Sequence, residues 1–259
     1  MQADLKLAVG CIVPHNLAGF SGGAKAIVPG ISGIETLRSN HSLAFDINDS
    51  TKTFLNNTCN PDNPVRRNIE SVVSRVGLDY ICNVILNDEM QIADVFAGNF
   101  VSAHRLACNA AMCKLKTHLI TDADILICSA YPKDTEYSQI ATCFNVLGQY
   151  TKECVKKEGT IIAMTASSDG AGYHALFGPG MSLFSPHDNN IPPSELHGIE
   201  TYVYSDGVTQ KDITQYYLNK LPQVVTSWND VLQKLESKYS NKKPVVAIYP
   251  AGAIQIGYL

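Results

Sequence analysis

The residues with the most chemistry in them cluster early in the sequence. From Pro14 to Lys25 the chain reads Pro-His-Asn-Leu-Ala-Gly-Phe-Ser-Gly-Gly-Ala-Lys, and His41 follows sixteen residues after Lys25. An imidazole titrates near neutral pH and serves as general base, general acid or metal ligand. A lysine serves as a phosphate contact or, when desolvated, as a point of covalent attachment. The glycines at 19, 22 and 23 supply backbone torsions and close approach that side chains forbid, so loop N–H groups can face a ligand. Plainer readings stand beside these: a tight turn with a solvated lysine, a loop histidine at 15 and a helix-face histidine at 41.

Spacing removes two phosphate-binding motifs. Lys25 follows Gly22-Gly23 by two residues and precedes Ala26, which is not the order of a P-loop, and no Gly-x-Gly-x-x-Gly fingerprint is present. His104, His118, His174, His187 and His197 have no spacing that requires function and read as structural or surface residues. Asp169-Gly170-Ala171-Gly172 is a turn by composition, and Trp228 reads as a packing residue.

The eight cysteines lie singly, without Cys-x-x-Cys spacing, and read as reduced core thiols of a cytoplasmic protein. Net charge is −4 with dispersed Lys and Arg, which argues against a nucleic-acid partner or an anionic membrane surface. The longest apolar runs fall far short of the about 20 residues a membrane helix needs, so no membrane association is expected.

The elements that must position these residues alternate between strand and helix. Strands are expected at Leu5–Val13, as a buried strand, and at Tyr80–Leu86, Ala123–Ser129, Thr160–Thr165 and Val245–Tyr249. Helices are expected at Ile31–Phe45, Pro64–Val76, Phe100–Lys116, Ser138–Lys157, Lys211–Leu221 and Ser227–Tyr239, with Asn63 and Ser227 as caps. The pattern predicts an α/β protein of two blocks with largely parallel sheets flanked by helices, and the active site in the cleft between them. The blocks are 1–116, a cofactor-tethering domain plus linker helix, and 117–259, a second α/β domain.

The run Pro-His-Asn-Leu-Ala-Gly-Phe-Ser-Gly-Gly-Ala-Lys-Ala-Ile-Val-Pro-Gly-Ile, then Asn40-His41 and Asn63-Pro64-Val65-Arg66, resembles the nickel-dependent lactate racemase family. The resemblance is strong to about Arg66 and looser through Tyr131-Pro132-Lys133-Asp134 to the end. It implies a 2-hydroxy-acid racemase or epimerase working by reversible hydride transfer to a lysine-tethered nickel-pincer nucleotide (nickel pyridinium-3,5-bisthiocarboxylic acid mononucleotide). On it, His15 is a catalytic acid/base, Lys25 the covalent tether and His41 the nickel ligand. Gln139 is a substrate-side residue, with helix capping as its alternative, and Ser21, Gly22 and Gly23 are candidate cofactor contacts.

The resemblance also implies a small 2-hydroxy acid as substrate and separate maturation proteins that make the cofactor, which an ordinary expression host would lack. Because Met1 runs at once into a core strand, more sequence is expected before it: an amino-terminal segment carrying a carboxylate-binding arginine and a second histidine. Without that segment the chain is expected to be inactive and to self-associate. Thr142 stands where lactate-handling members have a lysine, which points to a hydroxy acid other than lactate. Two rival readings remain: a non-catalytic binding or scaffold member of the same fold, and a nucleotide- or phosphate-binding enzyme using the Gly-rich loop.

Overall fold

The computed structural model describes residues 3–44, 59–87, 89–184, 191–217 and 221–259. The chain divides into two compact units, Met1–Leu115 and Lys116–Leu259.

The first unit contains β1 (Leu7–Cys11), β2 (Pro14–His15), β3 (Gly19–Phe20), β4 (Tyr80–Leu86) and β5 (Ile92–Gly98), with α1 (Ile34–Ser42), α2 (Pro64–Val76) and α3 (Ser102–Lys114). β1 runs parallel to β4, and β5 runs antiparallel to it, so this sheet is mixed rather than largely parallel. The cause is the short turn at Asn87, whose Oδ1 accepts the N–H groups of Glu89 and Gln91. A turn that short reverses the chain, whereas a parallel neighbour needs a crossover of about a dozen residues or more.

β1 is not the buried strand its apolar run suggests. Ala8 faces the core, but Leu7 and Val9 are 58% and 71% exposed. An unbroken apolar run does not distinguish a one-sided strand from a two-sided one. The core of this unit gathers Val65, Ile69 and Val73 from one stripe of α2 with Ile81, Leu78, Val28 and Ala24. α2 starts as its sequence requires: Asn63 Oδ1 accepts the N–H of Arg66 at 3.0 Å, Pro64 takes the first helical position, and Gly77 (φ 87°) ends the helix.

The second unit contains β6 (Lys116–His118), β7 (Ala123–Ser129), β8 (Val155–Met164), β9 (Glu200–Tyr204), β10 (Gln223–Val225), β11 (Val246–Tyr249) and β12 (Ile256–Tyr258), with α4 (Gln210–Ile213) and α5 (Trp228–Tyr239). Five strands form a wholly parallel sheet in the order β10-β9-β8-β7-β11, and β6 pairs with β12. Apolar cores cover both faces of this sheet, which is why Ile125-Leu126-Ile127-Cys128 carries no polar alternation. Trp228 packs its ring 5.4 Å from that of Tyr204.

Three helix expectations need correction. Tyr137–Glu153 winds as 3₁₀ turns broken at Gly148 (φ 52°), and residues 155–157 belong to β8. The hydroxyls of Thr142 and Thr151 donate to the carbonyls three residues back, at 2.7 and 2.9 Å, which favours the tighter winding. The Lys211 helix gives way to a 3₁₀ turn at Thr214–Tyr216 and extended backbone at Tyr217, while 218–220 lie outside the described residues, as do Phe45 and His187. Ser227 has extended torsions but makes no side-chain cap.

All eight cysteines are free, yet only four are buried and Cys113 is exposed, so they are not uniformly core thiols. Among the described residues no helix is long and apolar enough to cross a membrane.

Candidate active site

The Gly-rich stretch folds as a small hairpin followed by a turn. β2 and β3 pair His15 with Gly19 and Pro14 with Phe20. Inside the hairpin, His15 Nδ1 accepts the backbone N–H groups of Leu17 and Ala18, each at 3.2 Å. With Nδ1 an acceptor, the neutral ring carries its proton on Nε2.

Ser21 closes the loop on itself. Its hydroxyl donates to the Cys11 carbonyl at 2.6 Å and accepts the Val13 N–H at 2.9 Å, and its own N–H donates to the Val13 carbonyl. Gly22 and Gly23 adopt φ of 74° and 60°, where no side chain fits. A Cβ on Gly22 would stand 2.6 Å from Ile12 Cδ1, and one on Gly23 would stand 2.8 Å from His104 Cδ2. Lys25 follows in a 3₁₀ turn, Gly23–Ala26, its N–H donating to the Gly22 carbonyl at 3.2 Å.

The loop N–H groups do not uniformly face outward, as the glycines suggest. That of Gly23 donates to Asn83 Oδ1 at 2.8 Å, and those of Ser21 and Lys25 are used within the loop.

Three residues from the surrounding elements hold the carbonyl side. Asn63 Nδ2 donates to the Leu17 carbonyl at 2.9 Å. The guanidinium of Arg66, 2% exposed, donates to the carbonyls of Ala18 (3.4 Å), Phe20 and Gly22 (3.5 Å). Burial brings Arg66 down to about 10, which leaves it cationic at neutral pH. His104 on α3 donates from Nε2 to the Ser21 carbonyl at 2.9 Å; burial, and then the Arg66 charge, push it down to about 3. Arg105 beside it is paired with Glu70 at 2.9 Å.

His41 is buried in the last turn of α1. Its neighbour Asn40 ties α1 to α2, donating to the Val65 carbonyl (3.1 Å) and Asn68 Oδ1 (2.9 Å). The side-chain oxygens of Asn16 and Asn40 are buried without a hydrogen-bond partner among the described residues. Each adjoins a candidate histidine. No group of three or more His, Cys, Asp or Glu among the described residues could hold a metal ion.

Comparison with known proteins places the chain in a family. The lactate racemase N-terminal domain matches residues 1–53. The lactate racemase of Thermoanaerobacterium thermosaccharolyticum is 34% identical over 181 residues, 68% of this chain and 40% of that protein. The lactate racemase of Lactiplantibacillus plantarum is 35% identical over 182 residues, 68% of this chain and 41% of that protein. The chain belongs to the lactate racemase family. It thus spans about two fifths of the length of the curated relatives it matches.

Two solved structures share the α/β fold of this lactate racemase family member. The lactate racemase apoprotein from T. thermosaccharolyticum superposes with a TM-score of 0.70 at 23% identity, covering 100% of this chain and 64% of that one. A protein from Thermotoga maritima gives a TM-score of 0.60 at 15% identity, covering 100% of this chain and 67% of that one.

The remaining candidates of this family member lie in the second unit. Gln139 and Thr142 sit one 3₁₀ turn apart and share a face, but Thr142 is buried and its hydroxyl donates to the Gln139 carbonyl at 2.7 Å. Lys133, in the loop after β7, is brought down to about 8 by burial. That loop lies at the carboxyl end of β7, where the strand order reverses between β7 and β11, the usual ligand edge of an open parallel sheet. Asp169 and Gly170 do form a turn, the Gly170 N–H donating to the Ser167 carbonyl at 2.8 Å. His118 stacks edge-on with Tyr258, His174 Nδ1 accepts from Leu176 and Phe177, and His197 is exposed.

Asn83 and His104 escaped the sequence reading. Asn83 left a signal, since it is the one polar residue inside Tyr-Ile-Cys-Asn-Val-Ile-Leu and falls on the core face of β4.

Proposed function

We propose that the intact protein is a lactate racemase-like enzyme, a racemase or epimerase of a small 2-hydroxy acid that uses a lysine-tethered nickel-pincer nucleotide. The observation that carries this reading is the shared bracing of His15 and Lys25. Both lie on one loop whose carbonyls are gripped by Asn63 and Arg66, the residues that accompany them in the resemblance.

The residues fit such a group. Gly22 and Gly23 leave no space for side chains beside Lys25, and the unpartnered oxygens of Asn16 and Asn40 give polar lining next to His15 and His41. When bound, the cofactor supplies the hydride acceptor that a 2-hydroxy acid needs to become planar. Lys25 holds the cofactor covalently. His41 would be the protein's ligand to its nickel, with the remaining donors supplied by the cofactor itself. His15 exchanges the substrate hydroxyl proton. Gln139 contacts the substrate, and Thr142, with no cation to offer, favours a 2-hydroxy acid other than lactate.

Production with the cofactor maturation proteins, followed by peptide mass analysis, tests this. A nucleotide-sized adduct on the peptide holding Lys25, absent in Lys25→Ala, supports the reading. An adduct on another residue, or none in nickel-loaded protein, sinks it. A second reading, a family member that binds without turnover, is favoured by the burial of Thr142 and the commitment of its hydroxyl to Gln139. A tethered cofactor with no racemisation of any 2-hydroxy acid in a panel would establish it.

A further inference from the structure

We propose that Asn63 is a positioning residue for His15, acting through a single peptide unit. The peptide joining Leu17 to Ala18 is held at both ends: its C=O accepts from Asn63 Nδ2 at 2.9 Å and its N–H donates to His15 Nδ1 at 3.2 Å. A trans peptide is a rigid plane with its C=O and N–H pointing in opposite directions. Fixing the carbonyl therefore fixes the direction of the N–H, and the N–H fixes which imidazole nitrogen is the acceptor.

The next carbonyl, that of Ala18, is held by Arg66, and the N–H of Leu17 gives His15 Nδ1 its second donor. Asn63 is 1% exposed, so water does not replace its amide if the bond is lost. The same side chain also caps α2, its Oδ1 accepting the Arg66 N–H at 3.0 Å. Its two ends thus do two jobs, one for the helix and one for the histidine.

That division gives a clean test. Asn63→Asp keeps the capping oxygen and removes the donor, and Asn63→Ser does so without adding charge. In histidine-¹⁵N-labelled protein, with the His15 signal assigned by His15→Gln, the wild type should show the Nε2-protonated tautomer. Both Asn63 variants should raise the Nδ1-protonated fraction by about tenfold, the scale of one buried hydrogen bond. Val73→Ala, a core truncation toward the other end of the same helix, controls for general loosening.

An unchanged tautomer in both Asn63 variants overturns the proposal. So does an equal shift in Val73→Ala.

The proposal uses the reading of His15 as acid/base for its functional meaning, and the two fail separately. In cofactor-loaded protein, kcat of Asn63→Asp should fall about tenfold or more with KM unchanged. Full activity in His15→Ala would sink the catalytic reading of His15, while the tautomer result would still decide the role of Asn63.

Discussion

His104 donates from Nε2 to the carbonyl of Ser21 at 2.9 Å, and the same ring fills the space a side chain on Gly23 would need. The bond and the contact together lock α3 onto the Gly-rich loop. They also make the loop sensitive to acid.

The neutral ring is favoured in the fold, where His104 is brought from its ordinary 6.5 down to about 3, chiefly by burial. The unfolded chain takes up a proton below about 6.5, so stability is complete above that pH and declines as pH falls toward 3. At pH 5 the loss from this group should be about 2 kcal/mol. Urea unfolding of wild type and His104→Gln at pH 7.5 and pH 5 checks it, with a shallower pH dependence expected in the variant.

Gly22 cannot take even a methyl group. Gly22→Ala places Cβ 2.6 Å from Ile12 and 2.9 Å from Asn83 Oδ1 at a φ of 74°, and should cost about 1–3 kcal/mol. Asn83→Leu leaves the buried Gly23 N–H without its acceptor and should cost a similar about 1–3 kcal/mol. Denaturant midpoints measure both. The two effects should not be additive in the double variant, because a leucine methyl takes the place of Oδ1 beside the Cβ added at position 22.

Asp124 ties β7 to the backbone just before β11 in the second unit. Its carboxylate lies well below the usual range, first because it accepts the N–H of Val245, then because of the ammonium groups of Lys242 and Lys156. This stabilisation is present above about pH 4 and is lost as pH falls through the depressed pKa. Asp124→Asn keeps an acceptor for Val245 but loses both charge pairs. It should melt lower at pH 7, and the difference from wild type should close in acid.

The two histidines of the first unit should fail differently. His41→Ala should lose nickel from protein matured with its cofactor, whereas His15→Ala should retain nickel and lose about a hundred- to ten-thousand-fold in turnover. Metal analysis of both variants separates the roles, and equal nickel contents would refute the assignment.

Thr142→Lys places an ammonium at a site that is 5% exposed. Melting should fall by at least about 1 kcal/mol of stability, and substrate preference should move toward lactate in the cofactor-loaded protein. A panel of 2-hydroxy acids reads the second effect.

Much of the fold was legible because the sequence carries local signals for it. Pro64–Val76, Tyr80–Leu86 and Ala123–Ser129 have the observed boundaries because a cap, a proline or a mostly apolar run marks them. β9 and β10 were missed, being only five and three residues long. The helix expected over 138–157 failed because hydroxyl-to-carbonyl bonds and Gly148 outweigh apolar periodicity. In the candidate site, His15, Lys25 and His41 stood out by residue type. The residues that orient the loop did not, since Asn63 looks like a helix cap, Arg66 like a surface cation and His104 like any helical histidine. Their partners lie 46, 48 and 83 positions away, a relationship only the folded chain reveals.

The placement of β11 beside β7 sets an order for biosynthesis. β7 bonds β8 on one side almost as soon as both are made, but its other neighbour arrives much later: Asp124 waits for Val245, 121 positions on. At about 5–20 residues per second, translation takes roughly 6 to 24 seconds to supply that strand. Over that interval one edge of β7 is an unfilled row of backbone donors and acceptors, and the ribosome releases the sheet's interior strand before the strand that seals it.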